Sequence, residues 1–323
     1  MTVRPAVRFL AVCVLGWMAL HGHAQTYPTR PVAIVVPYPP GAATDLIARL
    51  VQPKLQAAFN QPVIIENRPG ANGSVGAALV AKSRGDGYRI LLATQPIVAI
   101  NPHLQKDMGF DPFKDLAPLT SAVAGVMGIA INTLLPINNL AELFAYAKKN
   151  PGKLTYGSPG AGSPQHIGGL LLGQRAQIDW THIPYKGGGP MVSDLLAGHI
   201  TVGIGTLSVF TPLMSDRRLR LIAVGEKARF AGAPDIPTIS ETLPGFELTT
   251  WLAFYAPSGL PEDVSKLLAD ELVKALHADD VRRKLQESGL LVNASGPEPL
   301  ARTGRADYEL YGRVIRDEHI TDN

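Results

Sequence analysis

Ser158, Ser163 and His166 stand in one short stretch of this 323-residue chain. These are the residue types of an acyl-transfer site, where a hydroxyl attacks and an imidazole takes its proton. The spacing argues against that chemistry. No Gly-x-Ser-x-Gly turn, the device that exposes a nucleophilic serine between strand and helix, occurs anywhere. No acid lies near His166 in sequence to orient its ring. Catalysis is therefore not expected. Ser163 reads as a helix cap, a ligand donor, or both, and His166 reads equally as a ligand contact or a packed side chain. Other charged and aromatic candidates are Lys186 and Arg68, which can neutralise an anion or sit as surface charges, and Tyr38, which can cover a ligand or pack on Pro39. Asp45 and Glu66 fit capping or inter-loop roles better than acid–base work, since Asp45 is placed to accept from first-turn amides.

Metal and cofactor chemistry find no support. Eight histidines are present, but none in a His-x-x-x-His or His-Glu-x-x-His spacing. Gly160-Ala161-Gly162 lacks the third glycine of a dinucleotide loop, and no Gly-Lys-Ser/Thr follows a glycine-rich loop. No metal and no cofactor are expected.

The elements that position these residues share one pattern. A β-branched run at 32–36 reads as a buried strand. It ends at Pro37, Pro39 and Pro40, which cannot donate to a sheet ladder, and leads through Gly41, Ala42 and Ala43 to a helix expected over 46–59, capped by Thr44 or Asp45. The unit recurs. Strand 63–68 leads through Pro69, Gly70, Ala71, Asn72, Gly73 and Ser74 into a helix over 75 to about 82. Strand 154–157 leads through Ser158 to Ser163, with Gly162 between, into a helix starting at 164–166. Strand 183–185 ends at Tyr185 and leads through Lys186 and Gly187 into a helix reaching 197. A further strand, 88–93, ends at Thr94-Gln95-Pro96, again with polar groups at a strand end. Each strand–loop–helix junction points free N–H groups at one spot, which attracts an anion. Ligands of open α/β sheets bind beyond the carboxyl ends of the strands.

Composition sets the frame. The apolar fraction of 46% suffices for sizeable cores, and a net charge of +3 gives no sign of nucleic-acid or anionic-membrane partners. Only 18% of residues are charged, below the usual quarter, while 32 Gly and 27 Pro fit a fold of many short loops. Arg4 and Arg8 precede an apolar run at 9–20, too short to span a bilayer comfortably, with Gly22-His23-Ala24 after it. This reads as an export signal at 1–24, cleaved after Ala24 to leave Gln25 first. Cys13, the only cysteine, lies inside that apolar run and would leave with it.

Later in the chain, 116–123 and 128–132 read as two strands with a crossover between them. Helices are expected over 140–150, 261–277, 279–288 and 297–315. Pro234, Pro237 and Pro244-Gly245 suggest a return crossover before a strand at 246–255.

With these pieces assembled, the chain resembles the Bug-type extracytoplasmic solute receptors, the substrate-binding proteins of tripartite tricarboxylate transporters. The matching segments are Pro40-Gly41-Ala42-Ala43-Thr44-Asp45, Glu66-Asn67-Arg68-Pro69-Gly70-Ala71-Asn72-Gly73, Asp86-Gly87-Tyr88, Tyr156-Gly157-Ser158 through Ser163 and His166, His182-Ile183-Pro184-Tyr185-Lys186-Gly187, and Pro234-Asp235-Ile236-Pro237-Thr238 with Pro244-Gly245-Phe246-Glu247. They run in order through nearly all of the chain after the signal. Two departures stand out: Ala42 and Ala43 replace glycines of the family's first loop, and Asn72 replaces one in the second.

The resemblance implies a type II periplasmic-binding-protein fold, two α/β lobes with two crossovers and a ligand cleft. Expected boundaries are 25–124 plus 229–300 for lobe 1 and 125–228 for lobe 2. A C-terminal helix, 301–323, is expected to pack across onto lobe 2. It also implies a periplasmic, monomeric receptor that hands a small carboxylate to membrane transporter subunits. A sensor receptor needs the same closed, loaded lobe pair and stays open as an alternative. The ligand contacts expected are Tyr38, Gly41, Ala42, Ala43, Thr44, Asn72, Ser74, Gln95, Ser158, Gly162, Ser163, His166, Tyr185, Lys186 and Gly187. One carboxylate group is expected between loops 38–44 and 158–166, held largely by backbone N–H groups.

Overall fold

Short β-branched runs make the strands, and proline- or glycine-rich segments end nearly every one. A computed structural model describes residues 27–321; Arg4, Arg8, Cys13 and the cleavage point after Ala24 lie outside them. In chain order the strands are β1 (Val32–Val36), β2 (Val63–Asn67), β3 (Arg89–Thr94), β4 (Leu116–Asn132), β5 (Leu154–Ser158), β6 (Trp180–Pro184), β7 (Val202–Thr206), β8 (Leu219–Val224), β9 (Thr249–Pro257) and β10 (Leu290–Val292). The longer helices are α1 (Ala43–Phe59), α2 (Ser74–Ala81), α3 (Leu140–Lys149), α4 (Pro164–Ala176), α5 (Gly188–Ala197), α6 (Glu262–His277), α7 (Asp279–Glu287) and α8 (Pro297–Asp317).

The sheet runs β2-β1-β3-β9-β4-β7-β5-β6, with β8 and β10 also on β4. β1 pairs in parallel with β2 and β3, and β5 in parallel with β6 and β7. β4 joins the two halves. Up to Val126 it pairs antiparallel with β9, and from Met127 it pairs with β7. The result is a two-lobe α/β fold with parallel loop-bearing strands in each lobe.

The expected break between 123 and 128 is absent: β4 is one strand. Glycine usually weakens a strand, and Gly125 and Gly128 stand in or beside the expected break. Here each opens room for a neighbour. A Cβ on Gly125 would meet Thr250 at 2.9 Å, and one on Gly128 would meet Leu221 at 2.9 Å. Ladder pairing on both sides holds the strand extended through them. The helix start at Leu46 is also corrected. α1 begins at Ala43, with Ala42 as N-cap and no side-chain cap, so Thr44 and Asp45 lie inside its first turn.

Two cores carry the lobes. Ile34, Leu92, Leu119, Phe254 and Leu268 belong to one, and Met127, Ile131, Tyr156, Leu172 and Val202 to the other. The chain does not return to the first core at residue 229. Phe230 and Ala233 pack with Leu195 and Phe210, and Ile239 and Leu248 pack with Tyr156. The prolines suggested a crossover, but they frame short turns that lie against the second lobe until β9 begins. One such turn is capped by Thr238 and Glu241 in a reciprocal capping box. The C-terminal helix touches both halves: Tyr311, Val314 and Ile315 form one cluster with Ala99, Ile100 and Ile167. No helix among the described residues is long and apolar enough to cross a membrane.

Candidate functional site

The first loop is braced from inside α1. The Asp45 carboxylate accepts from the Gly41 amide (3.0 Å), from Arg49 Nε (2.8 Å) and Nη2 (3.1 Å), and from Asn67 Nδ2 (3.1 Å). The Arg49 guanidinium is the main reason its pKa falls to about 2, with the Gly41 and Asn67 donors adding to it against the cost of burial. Asp45 therefore stays ionised and fixes the loop rather than meeting an anion.

The space beyond that brace is open and donor-rich. The first i→i−4 bond of α1 runs from the Leu46 amide to the Ala42 carbonyl at 3.0 Å. The amides of Ala43, Thr44 and Asp45 precede it and have no intrahelical acceptor. Ala43 is exposed, and a Cβ on Gly41 would meet nothing within 4 Å. Thr44 Oγ1 is buried without a hydrogen-bond partner, at a cost of about 1–3 kcal/mol unless an acceptor arrives.

The second loop locks to the first. Tyr38 OH donates to the Asn72 carbonyl (3.2 Å) and shares a bond with Thr94 Oγ1 (3.0 Å). Burial raises its pKa. Asn72 Nδ2 donates to Asn101 Oδ1 (3.0 Å), and Asn101 Nδ2 returns bonds to the Asn72 carbonyl and Ser74 Oγ, both 3.1 Å. Asn72 has φ +50°. Asparagine tolerates that left-handed conformation better than most side chains.

The third loop closes on itself through a pairing hidden in the sequence. Ser158 Oγ lies 2.7 Å from Nε2 of His182, and His182 stacks on His166 with ring centres 3.7 Å apart. His166 Nδ1 accepts from the Gly162 amide (3.0 Å), while Ser163 Oγ caps α4 by accepting from the His166 amide (3.2 Å). Nδ1 as acceptor fixes the neutral tautomer with its proton on Nε2. Burial holds His166 down to about 4. Burial, with His166 beside it, holds His182 down to about 3.

The amides of Gly160, Gly162 and Ser163 thus already have acceptors. Among loop 158–166 and the first turn of α4, only Ala161 and Gln165 keep theirs free. The expectation of many open N–H groups in this loop is corrected accordingly. Gly162 brings the loop against the first lobe, since a Cβ there would lie 2.5 Å from Leu104.

The remaining candidates divide. The Tyr185 and Gly187 amides bind the carbonyls of Ser158 and Pro159 (3.0 and 2.9 Å), so the fourth loop rests on the third. Tyr185 OH, however, turns to Asp194 (2.8 Å); burial first, and then that carboxylate, push its pKa up to about 12. Gly187 ends its loop as the N-cap of α5. Lys186 is exposed, and Arg68 pairs with Glu66 at 3.1 Å. The Gln95 side chain runs away from the loops: Nε2 donates to Asp307 Oδ2 (2.6 Å), as does Trp251 Nε1 (2.7 Å). Gln95 and Asp307 are 212 residues apart, and His182 sits inside a strand, so neither contact had a local signal. Among the described residues no group of His, Cys, Asp and Glu could hold a metal ion.

Known proteins share this architecture. The family described as Tripartite tricarboxylate transporter family receptor (TctC) matches residues 47–319. A UPF0065 protein of Pseudomonas sp. (strain P51) is 33% identical over 321 residues, covering 98% of this chain and 95% of the relative. Rpa4515 of R. palustris, solved with adipate, is 31% identical with a TM-score of 0.75, over 91% of this chain and 99% of that one. MatC from Rhodopseudomonas palustris, solved with bound malate, is 27% identical with a TM-score of 0.70, over 90% of this chain and 100% of that one. On the match to residues 47–319 and this near-complete coverage, the chain belongs to the tripartite tricarboxylate transporter receptor family, the Bug-type periplasmic solute receptors, with their two-lobe binding-protein fold.

Proposed function

We propose that this receptor captures a small carboxylate between loops 38–44 and 158–166 and delivers it to transporter subunits in the membrane. The observation that carries this reading is the start of α1: three unpaired amides, the positive end of the helix dipole, and the orphan Thr44 hydroxyl beneath an exposed Ala43. Relatives solved with adipate and with malate, both dicarboxylates, support the ligand class. In this reading lobe 1 comprises 25–126 plus 249–300 and lobe 2 comprises 127–248. Donors contributed by both sides reward the closed form.

The same geometry speaks against catalysis. Ser158 Oγ already donates to the Gly160 carbonyl at 2.9 Å, so its proton is committed away from the His182 ring. No carboxylate bonds the His182 ring, and an imidazole held near 3 is a weak base at neutral pH.

A thermal-shift screen over adipate, malate and aromatic carboxylates, on ligand-stripped protein, identifies the ligand. Thr44→Val then tests the site. It keeps shape but removes the orphan hydroxyl, so it should weaken the best carboxylate about tenfold while leaving stability unchanged or raised, for ~1.4 kcal/mol per lost bond. Equal affinity in the variant refutes the Thr44 contact. For the full chain we further propose export as a monomer with cleavage after Ala24. Mass spectrometry of the periplasmic protein should find Gln25 first; a retained Met1 would refute it.

A further inference from the structure

A cavity of about 600 Å³ lies where the chain crosses between the lobes. None of the loop residues assigned to the carboxylate lines it. Its walls come from β4, from residues 226–231 after β8, from the start of β9, and from β10 and α8. Glu226 is the unusual member. It is only 6% exposed, and neither carboxylate oxygen has a well-formed hydrogen bond, the Met127 backbone approaching without making one. A buried, unpartnered carboxyl is costly, and nearly every such group in a folded protein has a donor.

We propose that this cavity is a second ligand site, for a small organic ammonium with an apolar body, and that Glu226 is its counter-ion. The lining suits that ligand at both ends. Trp251, Phe230, Leu291 and Leu300 offer apolar surface, while Thr250 and Glu247 add acceptors at the rim. A hard divalent cation fits poorly, since it wants six or more oxygens and finds one buried carboxylate among apolar walls.

The surrounding charges are consistent. Arg229 lines the cavity, but its guanidinium is held by Glu241 at 2.8 and 2.6 Å. Lys227 and Glu247 also line the cavity, and both are exposed. Asp307 stands behind the Trp251 indole, bonded to its Nε1. Burial, with the Glu247 charge adding and the Met127 amide opposing, raises the Glu226 carboxyl to about 7. Below that pH it is neutral and a poor counter-ion; above it the charge is present.

Benzylammonium is the probe, titrated by calorimetry into ligand-stripped protein at pH 6 and pH 8, with benzyl alcohol as the neutral comparison. Affinity for benzylammonium should rise about tenfold from pH 6 to pH 8, following ionisation of Glu226. Glu226→Gln should bind at least tenfold more weakly at pH 8 and lose the pH dependence. Ala124→Leu, which fills the cavity from β4 and keeps the carboxyl, should weaken binding while preserving the slope, and it carries the test should Glu226→Gln not fold. Binding no tighter than that of benzyl alcohol, or undiminished in both variants, overturns the proposal.

Discussion

Ala43→Asp should lower carboxylate affinity at least 100-fold and leave the fold intact. Ala43 is the exposed first residue of α1, and its amide is one of three with no acceptor. An aspartate at this position sets a carboxylate where the ligand's would lie. Two like charges about 4 Å apart at an effective dielectric near 20 repel by ~4 kcal/mol. Solvent exposure reduces that, and about 2.8 kcal/mol still amounts to 100-fold. The fold gains slightly, because an acid in the first turn complements the helix dipole by about 0.3–1 kcal/mol. Ala43→Asn has nearly the same volume without the charge and should lose far less. Calorimetry with the carboxylate found in the screen separates the two. If Ala43→Asp folds and binds as tightly as the parent, the start of α1 is not the anion site.

What the sequence revealed was whatever depends on neighbours in the chain. The strand at 32–36 and the helices starting at 279 and 297 coincide with β1, α7 and α8 because apolar periodicity and Gly/Pro punctuation are local signals. The loop system was visible for the same reason. Where reading failed, a distant partner decided. A crossover was expected between 123 and 128, but the strand runs on, with Thr250 and Leu221 filling the space beside Gly125 and Gly128. Thr44 looked like a cap, but Ala42 takes that place and leaves the hydroxyl idle. Gln95 looked like a loop donor, yet its amide is drawn to a carboxylate on the C-terminal helix. The three-residue strand β10 exists only as a ladder on β4, and no periodicity could announce it. Most important for the site, Ser158 was weighed against His166 as its base, whereas the fold gives it His182 from the neighbouring parallel strand, paired through Tyr156↔His182.

The stacked histidine pair should set the acid limit of the protein. Both rings are held neutral, near 4 and 3 against an ordinary 6.5. The folded pKa values are depressed, so the unfolded chain binds protons first as pH falls. Stability contributed by the pair is fully present above pH 6.5 and is lost progressively between about 6.5 and 3. Each pKa unit is worth about 1.4 kcal/mol. Discounting for the partly exposed His182 ring and the coupling of two stacked groups, the loss is on the order of 5 kcal/mol, comparable with the whole stability of many domains. The Asp45 brace, held to about 2, fails only below about pH 4, so of the two only the histidines act between 6.5 and 4. Protonation also has a local consequence. His166 Nδ1 accepts from the Gly162 amide; once protonated it is a donor facing a donor, and the 158–166 loop loses its internal tie. Chemical denaturation from pH 7.5 to 4 should therefore show a steep fall in stability beginning near 6.5. His182→Gln should start less stable at pH 7, having lost the stacked ring, and show a shallower fall. Amide exchange at Gly162 should accelerate in the same window. A flat profile between pH 7 and 4.5, or a His182 ring that titrates near 6.5 by NMR, would show that the pair does not hold the loop.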